Sequence, residues 1–179
     1  MKKYILFTAM LFSALSVINV QAQGTGASKT GDAQLTLNLS AVQSIIVGGD
    51  VVIDYATADD YANGKGSTDL TTLTVVSAGG YAITAQAEDL KDATNSTSPI
   101  IKSNTIAVTA TGLAGATGAG AGTLEQNAAK TALITSAQGG VGLQYTVSYK
   151  GTGSNEYMKN YNGGGRQYKT TVVYTIAAI

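Results

Sequence analysis

Between Arg166 and Ile179 the chain alternates with a period of two. Tyr168, Thr170, Val172, Tyr174 and Ile176 fall on one face, and Lys169, Thr171, Val173 and Thr175 on the other. β-Branched and aromatic side chains dominate this segment, and their restricted χ1 angles suit a pleated strand better than a helix. It ends on Ile176-Ala177-Ala178-Ile179, apolar enough that a closing strand tied into a sheet is expected. The same alternation recurs at Gln34–Leu39, with Leu35, Leu37 and Leu39 on one face, and at Leu143, Tyr145, Val147 and Tyr149. Val42–Val47, Val51–Tyr55, Leu70–Val76, Tyr81–Gln86 and Asn104–Thr109 are predicted as further strands.

Turn chemistry separates these runs. Gly48-Gly49-Asp50 and Gly139-Gly140 predict tight turns, and Ala78-Gly79-Gly80 predicts a hairpin joining Leu70–Val76 to Tyr81–Gln86. Thr57-Ala58-Asp59-Asp60-Tyr61-Ala62-Asn63-Gly64 has an N-cap residue, acids in its first turn and a glycine stop, which predicts one short helical turn at a corner. Glu88–Pro99 and Gly112–Gly122 read as loops, and Gly151–Gly165 as a second corner. Thr123 and Gln126 could form a capping box, but a short strand over Thr131–Thr135 agrees better with its neighbours. The two corners echo each other weakly: Ile53-Asp54-Tyr55 leads to Asp60-Tyr61, and Ser148-Tyr149 to Glu156-Tyr157. Convergent corner chemistry explains this more simply than duplication. The pattern predicts an all-β fold, an antiparallel Ig-like β-sandwich of about eight strands and Greek-key type, with short helical turns at its corners. A closed barrel is the alternative.

The first residues change the picture of where this domain works. Lys2 and Lys3 precede an apolar run from Tyr4 to Val20, and Val20-Gln21-Ala22 offers small residues for cleavage before Gln23. Residues 1–22 are therefore expected to be a secretory signal peptide, 23–32 a flexible leader and 33–179 one β-sandwich domain. A secreted product is expected, in the periplasm, at the cell surface or outside the cell, with no membrane span after cleavage. The chain has 11 Lys and Arg against 11 Asp and Glu, and loss of Lys2 and Lys3 leaves it slightly acidic. That argues against nucleic acid as a partner, because phosphate recognition demands a basic surface. Both Phe residues, Phe7 and Phe12, go with the signal, and there is no Trp. The core is expected to be Val, Ile, Leu and Ala with Tyr at its margins.

Candidate chemistry is sparse. There is no His and no Cys, which removes the usual base for a Ser nucleophile and the usual zinc ligands. No cofactor and no enzymatic activity are expected. Two acidic groups, Asp54, Asp59 and Asp60, and Glu88, Asp89 and Asp92, read as turn-capping and solubilising residues rather than a glycosidase pair. Calcium needs only oxygens, so Asp54, Asp59, Asp60 and Asp69 form a candidate set, without the D-x-[DN]-x-[DN]-G loop. Gly118-Ala119-Gly120-Ala121-Gly122 lacks the G-x-G-x-x-G spacing of a phosphate-binding turn. Tyrosines crowd the last third, and Tyr157 and Tyr161, in a polar corner with Asn155, Asn160 and Asn162, are the candidates for surface contact.

Leu35, Leu37 and Leu39, the corner Tyr61-Ala62-Asn63-Gly64, the strand Gly80-Tyr81-Ala82-Ile83 and the terminal Thr170–Ile176 together resemble small secreted β-sandwich proteins of Gram-negative bacteria, mostly of unassigned function. The chain is more loosely similar to chaperone-usher pilins, Ig-like subunits completed by a neighbour's donor strand. That similarity implies a structural or adhesive surface protein assembling by β-strand addition, with copies of itself or another envelope protein as partner. Leu35, Leu37 and Leu39 would be the donor, and Val172, Tyr174 and Ile176 the groove edge. The alternative is a secreted binding module for a glycan or other envelope component, using Tyr157 and Tyr161.

Overall fold

A computed structural model of the chain describes residues 31–94, 100–126, 132–160 and 165–179. The expected signal peptide, most of the leader and Tyr161 lie outside the described residues. The chain divides into two units between Asn38 and Leu39. In the first, the described residues 31–38 form no helix or strand and are exposed. The expected strand Gln34–Leu39 is therefore not formed: among the described residues it has no ladder partner to satisfy its backbone groups.

The second unit is all-β, with antiparallel pairing in every named ladder. In chain order it carries β1 (Gln43–Gly48), helix α1 (Ala58–Asn63), β2 (Lys65–Gly66), β3 (Thr71–Ser77), β4 (Tyr81–Ala87), β5 (Lys91–Asp92), β6 (Ile106–Gly112), β7 (Ala121–Thr123), β8 (Ile134–Ser136), β9 (Gly140–Gly151), β10 (Tyr168–Lys169) and β11 (Val172–Ala178). Eleven strands are thus found among the described residues, where about eight were expected; three of them are two-residue ladders. The larger sheet has the order β1-β3-β9-β6-β7, with β2 also on β9; a smaller one has the order β11-β4-β8, and β10 pairs β5.

Sequence alternation becomes burial alternation along the strands. On β9, Tyr145 and Val147 are fully buried and Tyr149 nearly so, with Leu143 half-buried in the same row. On β3, Leu73 and Val75 point inward, and Thr72 is exposed outside. These side chains meet Tyr81, Ile83, Ile134 and Tyr174 of the smaller sheet in one apolar cluster.

Tyrosine sits inside this core rather than at its margin. Tyr81 of β4 and Tyr145 of β9 share a hydroxyl–hydroxyl hydrogen bond of 2.5 Å, and Tyr149 of β9 shares one with Tyr174 of β11. Each pair joins one sheet to the other. Pairing the hydroxyls removes the desolvation cost that normally keeps them near solvent, and a chain without Trp gains large core side chains this way.

Two further strand expectations are not met. β3 and β4 are not a hairpin: β3 already has β1 on one side and β9 on the other, so the chain crosses at Ala78-Gly79-Gly80 into the smaller sheet. Val51–Tyr55 keeps its alternation, with Val51 and Ile53 packed on the core, yet joins no ladder. The loop expected over Gly112–Gly122 contains β7 and part of a join between the sheets. There Ala119 bridges Ile134, the Thr135 N–H donates to the Gly118 carbonyl at 2.8 Å, and the Ala87 N–H donates to the Glu125 carbonyl at 3.0 Å. Gly118 has φ +78°, and a Cβ there would collide with the Thr135 carbonyl; only glycine lets the backbones come this close. Of the short strand expected over Thr131–Thr135, Ile134 and Thr135 lie in β8, which runs on to Ser136; Ala132 and Leu133 are outside any strand, and Thr131 lies outside the described residues.

Candidate functional site

Among the described residues, two places leave apolar side chains incompletely covered, and they are built differently. The first is the seam between β1 and β11, edge strands of different sheets that lie side by side. The opposite side, between β7 and β8, is stitched by the backbone contacts through Gly118 and Ala119. No ladder joins β1 to β11 among the described residues. Register places Ile45 opposite Val75 and Val47 opposite Leu73, so Ile45 and Val47 belong to the inner face. Likewise Val172 is opposite Ala87 and Ile176 opposite Ile83. Yet Val47 is 48% exposed, and Ile45, Val172 and Ile176 are only half-buried, whereas Leu73, Val75 and Ile83 are completely covered. The seam is an incompletely covered strip of core.

The residues singled out from the sequence fall on this strip unequally. Val172 and Ile176 line it. Tyr174 does not offer itself: it is buried, and its hydroxyl is held by Tyr149. Burial pushes the Tyr174 phenol well above its ordinary range, with the Tyr149 hydroxyl adding to the effect. Leu35, Leu37 and Leu39 are 93%, 76% and 84% exposed. Ile45 and Val47 were legible as apolar but not as seam residues, because only the β1–β3 register assigns their face.

The second place is a cleft of about 500 Å³ where the two corners meet, lined by Tyr55, Tyr61, Tyr157 and Tyr168 together with Ile101 and Ile106. The corner sequence explains its walls. Thr57 caps α1 by accepting from the Asp60 N–H at 3.2 Å, and the Asp60 carboxylate reaches back to the Thr57 N–H at 2.9 Å, completing a capping box. Lys65 Nζ lies 2.9 Å from the same carboxylate. That ammonium, then the Thr57 and Ala56 N–H donors, hold Asp60 well below the usual carboxylate range.

α1 is thereby fixed against the second corner, where the Ser154 and Asn155 N–H groups donate to the Ala62 and Tyr61 carbonyls, both at 2.8 Å. Between the corners, Tyr55 packs on Tyr61 at a centroid distance of 5.2 Å and edge-on to Tyr157 at 5.1 Å. Tyr55 donates to the Thr152 carbonyl at 2.8 Å and accepts from the Lys65 N–H at 3.2 Å; burial pushes its phenol up to about 12, partly offset by the Lys65 N–H. The Tyr157 hydroxyl pairs with the Thr105 hydroxyl at 2.8 Å. Gly151 lies directly beneath the rings, and a Cβ there would strike both Tyr55 and Tyr157.

Tyr157, one of the two candidates for surface contact, lines this cleft with Tyr55, Tyr61 and Tyr168; Tyr161 lies outside the described residues. The echo between the two corners was the available signal for Tyr55 and Tyr61. The candidate calcium set is not assembled: among the described residues no three Asp or Glu side chains converge on a metal position. Asp60 is committed to its cap, and Asp59 accepts from the Asn63 amide at 2.6 Å. Asp89 and Asp92 are buried against Lys102 at 2.7 Å and Arg166 at 2.6 Å. No helix among the described residues is long and apolar enough to cross a membrane. No family model matches the chain, and comparison with curated proteins gives no match.

Proposed function

We propose that the chain is a non-enzymatic structural or adhesive subunit, secreted to the cell envelope. In this reading it is an Ig-like, Greek-key sandwich that assembles by adding residues 34–39 of one copy as a strand at the β1–β11 seam of the next. The observation that carries the reading is the half-exposed inner face along that seam, beside core strands that are completely covered. The donor segment fits it in length and pattern. It has six residues, as β1 does, and places three exposed leucines on one face.

Burying three leucines would contribute roughly 1.5–3 kcal/mol each. Ordering six backbone residues costs about 1–2 kcal/mol apiece. The two terms nearly cancel, so the main-chain ladders must supply the surplus, as in other strand additions. Such an interface is heterologous: the donor patch and the acceptor patch differ, and repetition without closure gives a filament.

Deleting residues 23–40 from the secreted chain tests this directly. The intact protein is expected to form oligomers or filaments under the electron microscope, and the truncated one to elute as a monomer. Monomers before and after deletion would mean that the segment closes its own chain, or nothing, and would remove the proposal.

A further inference from the structure

The geometry points to the cleft between the corners as a binding site for a neutral saccharide, one that functions whether or not the chain assembles. Its volume, about 500 Å³, lies within the range of small-ligand pockets, roughly 300–1,000 Å³. Its walls are half-buried tyrosines and its lining includes Ile101 and the buried Ile106.

The chemistry of these walls selects among ligand classes. The Tyr55 and Tyr157 hydroxyls are committed to Thr152 and Thr105, so the tyrosines present carbon surface rather than hydroxyl donors. An anion is disfavoured: the Arg166 guanidinium is already neutralised by the buried Asp92 carboxylate 2.6 Å away, and Asp54 adds an exposed carboxylate to the lining. A cation held in an aromatic cage needs ring faces standing apart around it. Tyr55 instead packs against both Tyr61 and Tyr157, at 5.2 and 5.1 Å, which fills the space between them. A pyranose suits what remains. Its C–H face lies against tyrosine carbon, and its edge hydroxyls meet the Asp54 carboxylate and water.

The test is titration of the purified protein with methyl glycosides of neutral hexoses and N-acetylhexosamines, followed by saturation-transfer NMR. Methyl glucuronide and choline serve as the anionic and cationic comparators. Saturable binding of a neutral glycoside, roughly millimolar in Kd, is expected, with neither comparator competing. Tyr61→Ala should weaken it at least tenfold. Because that change also removes the ring that packs on Tyr55 at the α1 corner, Gly165→Leu provides the second variant: a Cβ at Gly165 meets nothing within 4 Å, so the fold tolerates it while the added side chain obstructs the cleft. The inference is overturned if no neutral glycoside saturates at tens of millimolar. It is equally overturned if glucuronide or choline binds more tightly, or if Gly165→Leu leaves binding unchanged.

Discussion

Val47 and Leu73 face each other across the β1–β3 ladder on the inner side of the larger sheet, yet Leu73 is fully buried and Val47 is 48% exposed. A one-strand step outward costs a core position half its cover. The proposed donor strand would restore it, and this separates two effects of substitution. Val47→Lys should change the stability of the monomer by less than about 1 kcal/mol, as expected at a half-exposed site, while abolishing assembly by placing a charge where Leu burial is required. Leu37→Asp should do the same from the donor side. Neither variant should assemble alone, but mixing them should give a heterodimer, because one retains a working donor and the other a working seam. Native mass spectrometry reads this out; a mixture that stays monomeric counts against the pairing.

The two buried tyrosine pairs make unequal predictions. Tyr145 keeps a second partner, donating to the Thr117 carbonyl at 2.8 Å, while among the described residues the Tyr81 hydroxyl pairs with Tyr145 alone. Tyr81→Phe therefore leaves Tyr145 satisfied and should cost about 0.5–1.5 kcal/mol, the usual worth of one hydrogen bond. Tyr145→Phe strands the Tyr81 hydroxyl in the core and should cost about 1–3 kcal/mol. Urea denaturation with an unchanged slope would measure both, and the reverse ranking would contradict the pairing.

Local patterns carried far in this chain, and nonlocal ones did not. Alternation assigned the faces of Val172, Tyr174 and Ile176 and of Tyr145, Val147 and Tyr149 correctly, because a strand's side-chain period is local geometry. The Thr57–Gly64 corner was legible for the same reason. Pairing is decided elsewhere: nothing in Ala78-Gly79-Gly80 tells that both edges of β3 are taken, so a hairpin and a crossover look alike. The stitch at Gly118 was hidden because a glycine-rich run reads as a loop unless the Thr135 carbonyl above it is known. Gln34–Leu39 shows the converse: its alternation is as strict as that of β11, but a strand needs a partner as well as a pattern. Of the cleft, Tyr157 was legible as lying in a polar corner, whereas its meeting with Tyr55 depends on two corners distant in sequence.

At the α1 corner, Thr57→Ala removes one half of the capping box and should cost about 1 kcal/mol. Asp60→Asn should cost more, because the same carboxylate serves the Ala56 and Thr57 N–H groups and Lys65. Hydrogen exchange should localise the effect, with the Ala56 and Thr57 amides losing protection in Asp60→Asn before those of β9 do. Uniform loss across β9 would show instead that the corner and the core open together.

Stability should decline at both ends of the pH scale, for opposite reasons. Asp60 and Asp89 are held below their ordinary range, chiefly by Lys65 and Lys102. Unfolding releases carboxylates that bind protons near pH 4, so their contribution is complete above that pH and is lost as pH falls through the folded-state values. Tyr55, Tyr145 and Tyr174 are pushed up by burial, Tyr55 to about 12. An unfolded tyrosine ionises near pH 10. Above that pH the folded chain retains protons that the unfolded chain has given up, and stability falls as pH rises. Melting temperature should therefore hold steady from about pH 5 to 9 and drop between about pH 10 and 12. Tyr174→Phe, although less stable at neutral pH, should show a shallower alkaline decline, because one of the buried phenols driving it is gone. A parent protein whose melting point stays level to pH 12 would mean that these hydroxyls are not buried in solution.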